Sequence, residues 1–263
     1  VSMYATERQE QIARMLSETG RVGVLELATQ FDVTTETVRR DLDALERDGV
    51  LRRVHGGAVH LDRTSTVEQS TADRAVQHSE AKNAIAQRAL EVLGDGFQGS
   101  VYFDAGTTTA AVADRLGSRL ASVGGRAEVV THSFSLAPAL SAAEGVSLSI
   151  VGGRVRGVTG AAVGAETVRV ISGLRPDVAF LGTNALSAGF GASTPDPEEA
   201  AVKIAIVRAA RRVVLVVDGS KFERERLVSF AALAEIDVLV TDTPLPAALA
   251  EAAREANVDV WLA

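Results

Sequence analysis

The stretch from residue 34 to residue 58, TTETVRRDLDALERDGVLRRVHGGA, decides how the first part of the chain is read. Val38, Leu42 and Leu45 recur at i, i+4 and i+7, the apolar stripe of a helix. Asp32-Val33-Thr34 reads as a tight turn, and Thr34 or Thr35 can cap the helix start. At about 100° per residue, Glu36, Arg40, Asp43 and Arg47 fall opposite the stripe, with Arg39 on its flank and Thr35 and Thr37 in the first turn. Gly49 ends the helix. Val50–His55 then reads as a strand, Gly56-Gly57 as a turn and Ala58–His60 as a returning strand. Upstream, Ile12 and Leu16 mark Tyr4–Glu18 as a first helix stopped by Gly20. Val24–Phe31 is a short second helix with Leu25, Ala28 and Phe31 facing inward. Helix, short helix, turn, helix and hairpin is the order of a winged helix-turn-helix. A small helical hairpin with solvated charges fits the same pattern.

Charge placement favours the winged reading. Residues 1–60 hold eight Arg against ten Asp and Glu, so net charge gives no support. Yet Arg39, Arg40, Arg47, Arg52, Arg53 and His55 fall on the third helix and the hairpin, the elements that would face a DNA duplex. Glu7, Glu10, Glu18 and Glu26 fall on the first two helices. Over all 263 residues, 27 Lys and Arg face 34 Asp and Glu, a net charge of −7. That excludes a globally basic nucleic-acid binder and leaves room for a local basic surface.

At 46% hydrophobic the chain can build a core. No apolar run approaches the roughly 18 residues of a membrane span, and the polar start lacks a signal-peptide pattern. A cytoplasmic protein without a membrane partner is the expectation. There is no cysteine, which removes disulfides, thiolate metal sites and thiol catalysis. His55, His60, His78 and His132 have no paired spacing, so neither metal nor other cofactor is expected. Only three of the 27 cations are lysines, Lys82, Lys203 and Lys221. In so arginine-rich a chain these three stand out.

The division expected is a DNA-binding domain over residues 4–60, a connection over 61–79 and an effector domain over 80–263. The connection is rich in Ser, Thr and Gln without sustained periodicity, and reads as a linker or an ordered crossing segment. Beyond it, strand-like runs at 100–104, 128–132, 147–151, 177–182, 213–218, 237–241 and 258–262 alternate with helical segments at 107–120, 133–143, 161–173, 197–211 and 246–256. Apolar β-branched runs separated by helices predict a largely parallel, Rossmann-like α/β sheet covered on both faces.

Ligands of such sheets bind beyond the carboxyl ends of the strands. After the first strand stands Asp104-Ala105-Gly106-Thr107-Thr108-Thr109, where a glycine and a helix start offer an anion cradle. Thr131-His132-Ser133, Gly152-Gly153-Arg154, Gly182-Thr183-Asn184 and Asp218-Gly219-Ser220-Lys221 follow the next four. Each group alone is ordinary turn chemistry. Together they point to a phosphate-bearing polyol.

The run Thr34-Thr35-Glu36-Thr37-Val38-Arg39-Arg40-Asp41-Leu42, followed by Leu51-Arg52-Arg53-Val54-His55-Gly56-Gly57-Ala58, closely resembles the DeoR family of bacterial transcription regulators. The larger part resembles that family's sugar-phosphate-sensing domain, from Lys82-x-x-Ile85-Ala86 through Asp104–Thr108 to Asp218-x-Ser220-Lys221-Phe222. That domain shares its fold with ribose-5-phosphate isomerases and glucosamine-6-phosphate deaminases. The resemblance implies a double-stranded operator read by the third helix and wing. It also implies that Gly106 to Thr109 hold a phosphate with Lys221, while Asp104, Thr131, Asn184 and Asp196 face the sugar. His132 stands where the family usually has Asn; it reads as a pH-sensitive substitute or as a loop histidine with a backbone partner. Residues 153–157, 193–203 and Ser229-Phe230-Ala231 look most like regulators beside actinobacterial fructose-uptake operons, which implies fructose 1-phosphate as effector.

An aldose–ketose isomerase with an appended domain is the rival reading. Such an enzyme needs a carboxylate base, and isomerases of this fold carry an acidic cluster where this chain has Gly182-Thr183-Asn184-Ala185-Leu186. Asp104, Asp196 and Asp218 remain nearby carboxylates. Dimerisation without a ligand would leave Lys221 unexplained. The reading adopted is therefore a non-enzymatic, ligand-switched regulator, a homodimer or homotetramer, in which residues 61–79 carry the coupling. The resemblance favours repression relieved by the ligand.

Overall fold

The computed structural model describes residues 4–47, 50–60, 65–66 and 68–263. The chain divides into two units, Val1–Val67 and Glu68–Ala263. The helix stop expected at Gly49 and part of the expected connection, residues 61–64 and 67, lie outside the described residues.

The first unit runs α1 (Ala5–Thr19), β1 (Arg21–Gly23), α2 (Val24–Phe31), α3 (Thr35–Arg47), β2 (Leu51–Val54) and β3 (Gly57–His60). Thr34 settles the cap of α3: its Oγ1 accepts the Thr37 N–H at 3.2 Å. Val38, Leu42 and Leu45 bury against Ile12 and Leu16 of α1 and Leu27 of α2. Leu25, expected inside, is 76% exposed, because Val24 and Leu27 carry the buried stripe of α2 instead. The strand β1 was not expected, since three residues show no period. It pairs antiparallel with β3, giving the sheet order β1-β3-β2. That pairing explains Gly57: a Cβ there would lie 2.0 Å from the Val22 carbonyl oxygen. Gly56, at φ 81°, makes the turn.

The second unit opens with α4 (Thr71–Val76) and α5 (Ser79–Ala89), so the segment expected as a connection is ordered on this unit from Glu68 onward. Next come β4 (Gln98–Phe103), α6 (Thr107–Val123), β5 (Arg126–Thr131), α7 (Ala137–Ala142), β6 (Val146–Ile150), β7 (Arg154–Arg156), β8 (Ala161–Val163), α8 (Ala165–Ser172) and β9 (Val178–Gly182). The rest is β10 (Ala185–Ser187), β11 (Gly191–Thr194), α9 (Pro197–Ala209), β12 (Val213–Val216), β13 (Val228–Ala231), β14 (Val238–Thr241), α10 (Ala247–Glu255) and β15 (Asp259–Leu262).

Seven strands pair in parallel in the order β15-β14-β12-β9-β4-β5-β6. Burial on both faces explains their unbroken apolar runs. In β12, Val213 and Leu215 pack with Ile171, Ile206 and Leu249 of α8, α9 and α10, whereas Val214 and Val216 pack with Ile85, Leu116 and Leu140 of α5, α6 and α7. Two expected helices are shorter than read. Residues 161–163 form a strand because β8 pairs with β7, and α7 begins at Ala137, with Pro138 in its first turn. The chain enters at β4 and builds outward in both directions, so the topological switch lies between β4 and β9.

Candidate functional site

In the first unit the outer face of α3 carries Glu36, Arg39 and Arg40, with side chains 62%, 53% and 80% exposed. Glu36 lies 3.7 Å from Arg39 Nη1 and 3.6 Å from Arg40 Nε, loose surface pairs that a phosphate can displace. Arg47 is exposed and donates to the Asp43 carbonyl at 3.2 Å. Thr35 and Thr37 are half-buried, and Thr37 Oγ1 lies 2.9 Å from Thr34 Oγ1. On the hairpin, Arg52 and His55 are exposed. Arg53 differs from them. Its guanidinium pairs with Asp43, and its N–H donates to Glu46 Oε1 at 2.8 Å, so it ties the wing to α3. Asp41 sits within the motif run but turns inward. It is 3% exposed and accepts from Arg8 Nε at 2.5 Å and from Gln9 Nε2 at 3.0 Å.

The pocket of the second unit lies over the carboxyl ends of three adjacent strands, β4, β9 and β12. Gly106 caps α6 at φ 148°, and its carbonyl accepts from Thr109 Oγ1 at 2.9 Å. Gly106, Thr107 and Thr108 line the pocket together with Asn184 and Lys221, five of the residues expected there. The Asn184 side-chain oxygen accepts from Thr194 Oγ1 at 3.0 Å. Lys82 and Lys203, which were not expected among the site residues, line the same pocket, so all three lysines of the chain meet there.

Other expected residues do not line it. Asp104 is buried, and its Oδ2 holds the Lys203 ammonium and accepts the Gly182 N–H at 3.1 Å. The carboxylate read as facing the sugar thus serves first to neutralise a buried lysine. Asp104 Oδ1 has no hydrogen bond and stands 3.8 Å from His132 Nε2. His132 Nδ1 lies 3.0 Å from the Tyr102 hydroxyl, a side-chain partner and not the backbone one expected. Burial lowers the His132 pKa to about 4, with Asp104 pulling the other way and Lys203 adding to the fall. The imidazole is therefore neutral near pH 7. Burial and the Asp104 charge push the Tyr102 phenol well above its usual range, so the hydroxyl beside Nδ1 stays protonated.

Thr131 is saturated within its turn: Oγ1 donates to the Phe103 carbonyl at 2.8 Å and accepts the Ser133 N–H at 3.0 Å. Ser133 Oγ lies 2.9 Å from Ser135 Oγ. A Cβ on Gly153 would lie 2.1 Å from Thr167 Oγ1, so that glycine serves packing, and Arg154 is exposed and paired with Glu198. Asp196 caps α9, accepting from Glu198 and Glu199 N–H at 2.9 and 3.0 Å, and lies 3.1 Å from Arg156 Nε. The loops after β5 and β6 are thus turn structure and do not line the pocket.

One wall of the pocket comes from residues outside the expected site. Glu68, Arg74, Gln77 and His78, from the segment leading into α5, line the pocket with Glu199 and Thr159. Arg156 gathers the carboxylates, lying 2.5 Å from Glu68 and 3.1 Å from Glu199. Burial raises the Glu199 pKa and the charge of Glu68 adds to it, opposed by the Thr159 hydroxyl, Lys203 and Arg156. No local pattern marks these groups, which only the fold brings together.

A helix-turn-helix with a β-wing, followed by an open α/β sheet with a lysine-bearing polar pocket at its switch point, defines a DNA-binding transcription regulator with its own sensor. Residues 8–64 match the DeoR-like helix-turn-helix domain and residues 77–243 the DeoR C terminal sensor domain. The chain belongs to the DeoR family of transcription regulators. It is 38% identical over 258 residues to the HTH-type transcriptional regulator GlpR of Haloferax volcanii, covering 98% of each chain. It is 30% identical over 260 residues to the glycerol-3-phosphate regulon repressor of Escherichia coli K12, covering 99% of this chain and all of that one. The ribose 5-phosphate isomerase A of Methanocaldococcus jannaschii is a partial structural likeness, at TM-score 0.41 and 18% identity over 56% of this chain and 55% of that one.

Proposed function

We propose that this regulator represses a sugar-utilisation operon in the cytoplasm, and that a phosphorylated sugar in the sensor pocket releases it from DNA. The carrying observation is the meeting of Lys82, Lys203 and Lys221 beside the Gly106–Thr108 turn. Lysine is a compact point charge suited to a single phosphate, and the N–H groups opening α6 complement it. Lys203 is engaged by the buried Asp104, and Lys82 and Lys221 border the same pocket beside the start of α6. The Escherichia coli relative is named for a phosphate ester, which supports the ligand class. Fructose 1-phosphate is the particular effector that the sequence stretches favour.

On the DNA side, α3 enters the major groove with Arg39 and Arg40, and Arg52 of the wing reaches a phosphate or the minor groove. Subunits pair as dimers or tetramers so that two such helices meet one operator. An effector favouring one arrangement shifts the population away from the DNA-competent state. A thermal-shift screen of phosphorylated sugars tests the reading, because a ligand of the folded state raises Tm. Fructose 1-phosphate should raise it and fructose should not; no response to any phosphate ester refutes the pocket assignment.

One observation favours a second reading. Glu199 is a carboxylate on the pocket wall whose pKa burial raises, as an isomerase base would require. Incubation of sugar phosphates in deuterated water decides this: deuterium incorporated beside the carbonyl would mark an isomerase, and none is expected.

A further inference from the structure

The helix α4 is held by polar ties, for none of its side chains is buried. Its start is capped by Ser70, whose Oγ accepts the Asp73 N–H at 3.2 Å. Thr71 donates twice to the Val158 carbonyl, from N at 3.1 Å and from Oγ1 at 2.9 Å. At the other end the Lys82 ammonium donates to the carbonyls of Arg74 and Gln77, the latter at 2.6 Å. Carbonyls at a helix end have no partner within the helix, so Lys82 serves as the C-terminal cap of α4. The same ammonium borders the pocket, where Arg74 and Lys221 are like-charged neighbours and Asp218 an opposed one.

We propose that Lys82 moves its ammonium from the end of α4 to a phosphate in the pocket, so that occupancy uncaps α4. This rests on the pocket taking a phosphate and adds how the protein registers it. A dianion within reach outcompetes two neutral carbonyls, because attraction between full charges in a partly buried site exceeds that between a charge and a dipole. It also relieves the repulsion among Lys82, Lys221 and Arg74. With its cap withdrawn, α4 keeps its N-terminal ties and the Arg74–Glu68 pair at 3.5 Å, and opens more often. The segment affected follows the DNA-binding unit directly in the chain.

Amide hydrogen exchange over residues 71–78 of the full chain, with and without inorganic phosphate and fructose 1-phosphate, tests this. With either probe, exchange in α4 should rise about tenfold, the weight of a charge-assisted bond, while the strands of the large sheet stay protected. In Lys82→Met, exchange in α4 should already be high without a probe and should not rise further with one. The unliganded wild-type chain and its sheet amides report whether the variant is folded. If Tm rises with a probe but exchange in α4 is unchanged or falls, the Lys82 mechanism is refuted and the pocket stands. If neither probe shifts Tm or exchange, the pocket reading fails and the mechanism with it. A probe-induced rise that persists in Lys82→Met assigns the response to another residue.

Discussion

Asp41 lies in the middle of the motif that would contact DNA, yet the structure turns it away from the outer face. Replacing Asp41 by Asn separates these roles. The carboxylate is 3% exposed and Arg8 is 5% exposed, so the substitution leaves a buried guanidinium beside a neutral amide. Breaking such a pair from one side costs about 3–5 kcal/mol. A unit of some sixty residues has a total stability of roughly 3–9 kcal/mol. Asp41→Asn should therefore leave the first unit marginally folded, and operator binding should fall through the folded fraction. Replacing both partners, as in Arg8→Met with Asp41→Leu, should cost clearly less than Asp41→Asn alone, because the buried guanidinium is removed together with the carboxylate. The assay is urea unfolding of the full chain with two probes. Trp261, the single tryptophan, lies in the second unit and reports that unit alone. Amide exchange across residues 5–47 reports the first. In Asp41→Asn the exchange midpoint should fall while the Trp261 transition holds its place. A loss below 1 kcal/mol, or operator binding lost with the first unit fully folded, would show that Asp41 acts at the DNA and not in the core.

Arg40→Ala should weaken operator binding by about 1–3 kcal/mol with no change in unfolding, and wild-type binding should fall steeply as salt rises. A gel-shift titration at fixed salt checks the first and a salt series the second; unchanged affinity removes Arg40 from the interface. Lys221→Ala should lose about tenfold or more in phosphate-ester affinity and remain bound to its operator when effector is added. Equal titration heats for mutant and parent would show that Lys221 does not hold the phosphate. His132 has a folded pKa lowered from 6.5 to about 4 by burial. The unfolded chain thus takes the proton first, so stability is fully present above pH 6.5 and declines as pH falls toward 4. The loss is about 3 kcal/mol across that window. His132→Asn should flatten the slope of sheet stability, followed by Trp261 in urea between pH 7 and pH 4.5; an unaltered slope assigns the acid sensitivity elsewhere.

The large sheet was legible because burial on both faces writes itself into the sequence. Runs such as Val213–Val216 are apolar without alternation, and no other half of the pattern has to be found. The three-residue strands β1, β7, β8 and β10 were not legible, because so few residues carry no period. Their pairing depends on what lies opposite, as Val22 does on Ala58. Leu25 misled for a related reason. On an eight-residue helix two apolar stripes can be drawn, and contact with α3 selects the one through Val24 and Leu27.

The site was harder, and the failures share a cause. Thr108 and Thr131 both lie at the carboxyl end of a strand, both are buried, and one borders the pocket while the other closes a turn. Strand order makes the difference. The pocket needs neighbouring carboxyl ends on either side of the reversal, and β12, β9 and β4 supply them, whereas β5 and β6 stand beyond it. Order is not written in the run of strands, so a census of strand ends gathers ligand-facing and turn-closing residues alike. Composition carried what spacing could not. Lys82 precedes the sheet, and Lys203 meets Asp104 across 99 residues, so neither stands at one of the strand ends. Rarity among arginines brought both to notice before any contact was known. A charged site in a chain of biased composition is then better sought through its unusual residues than through its strand ends.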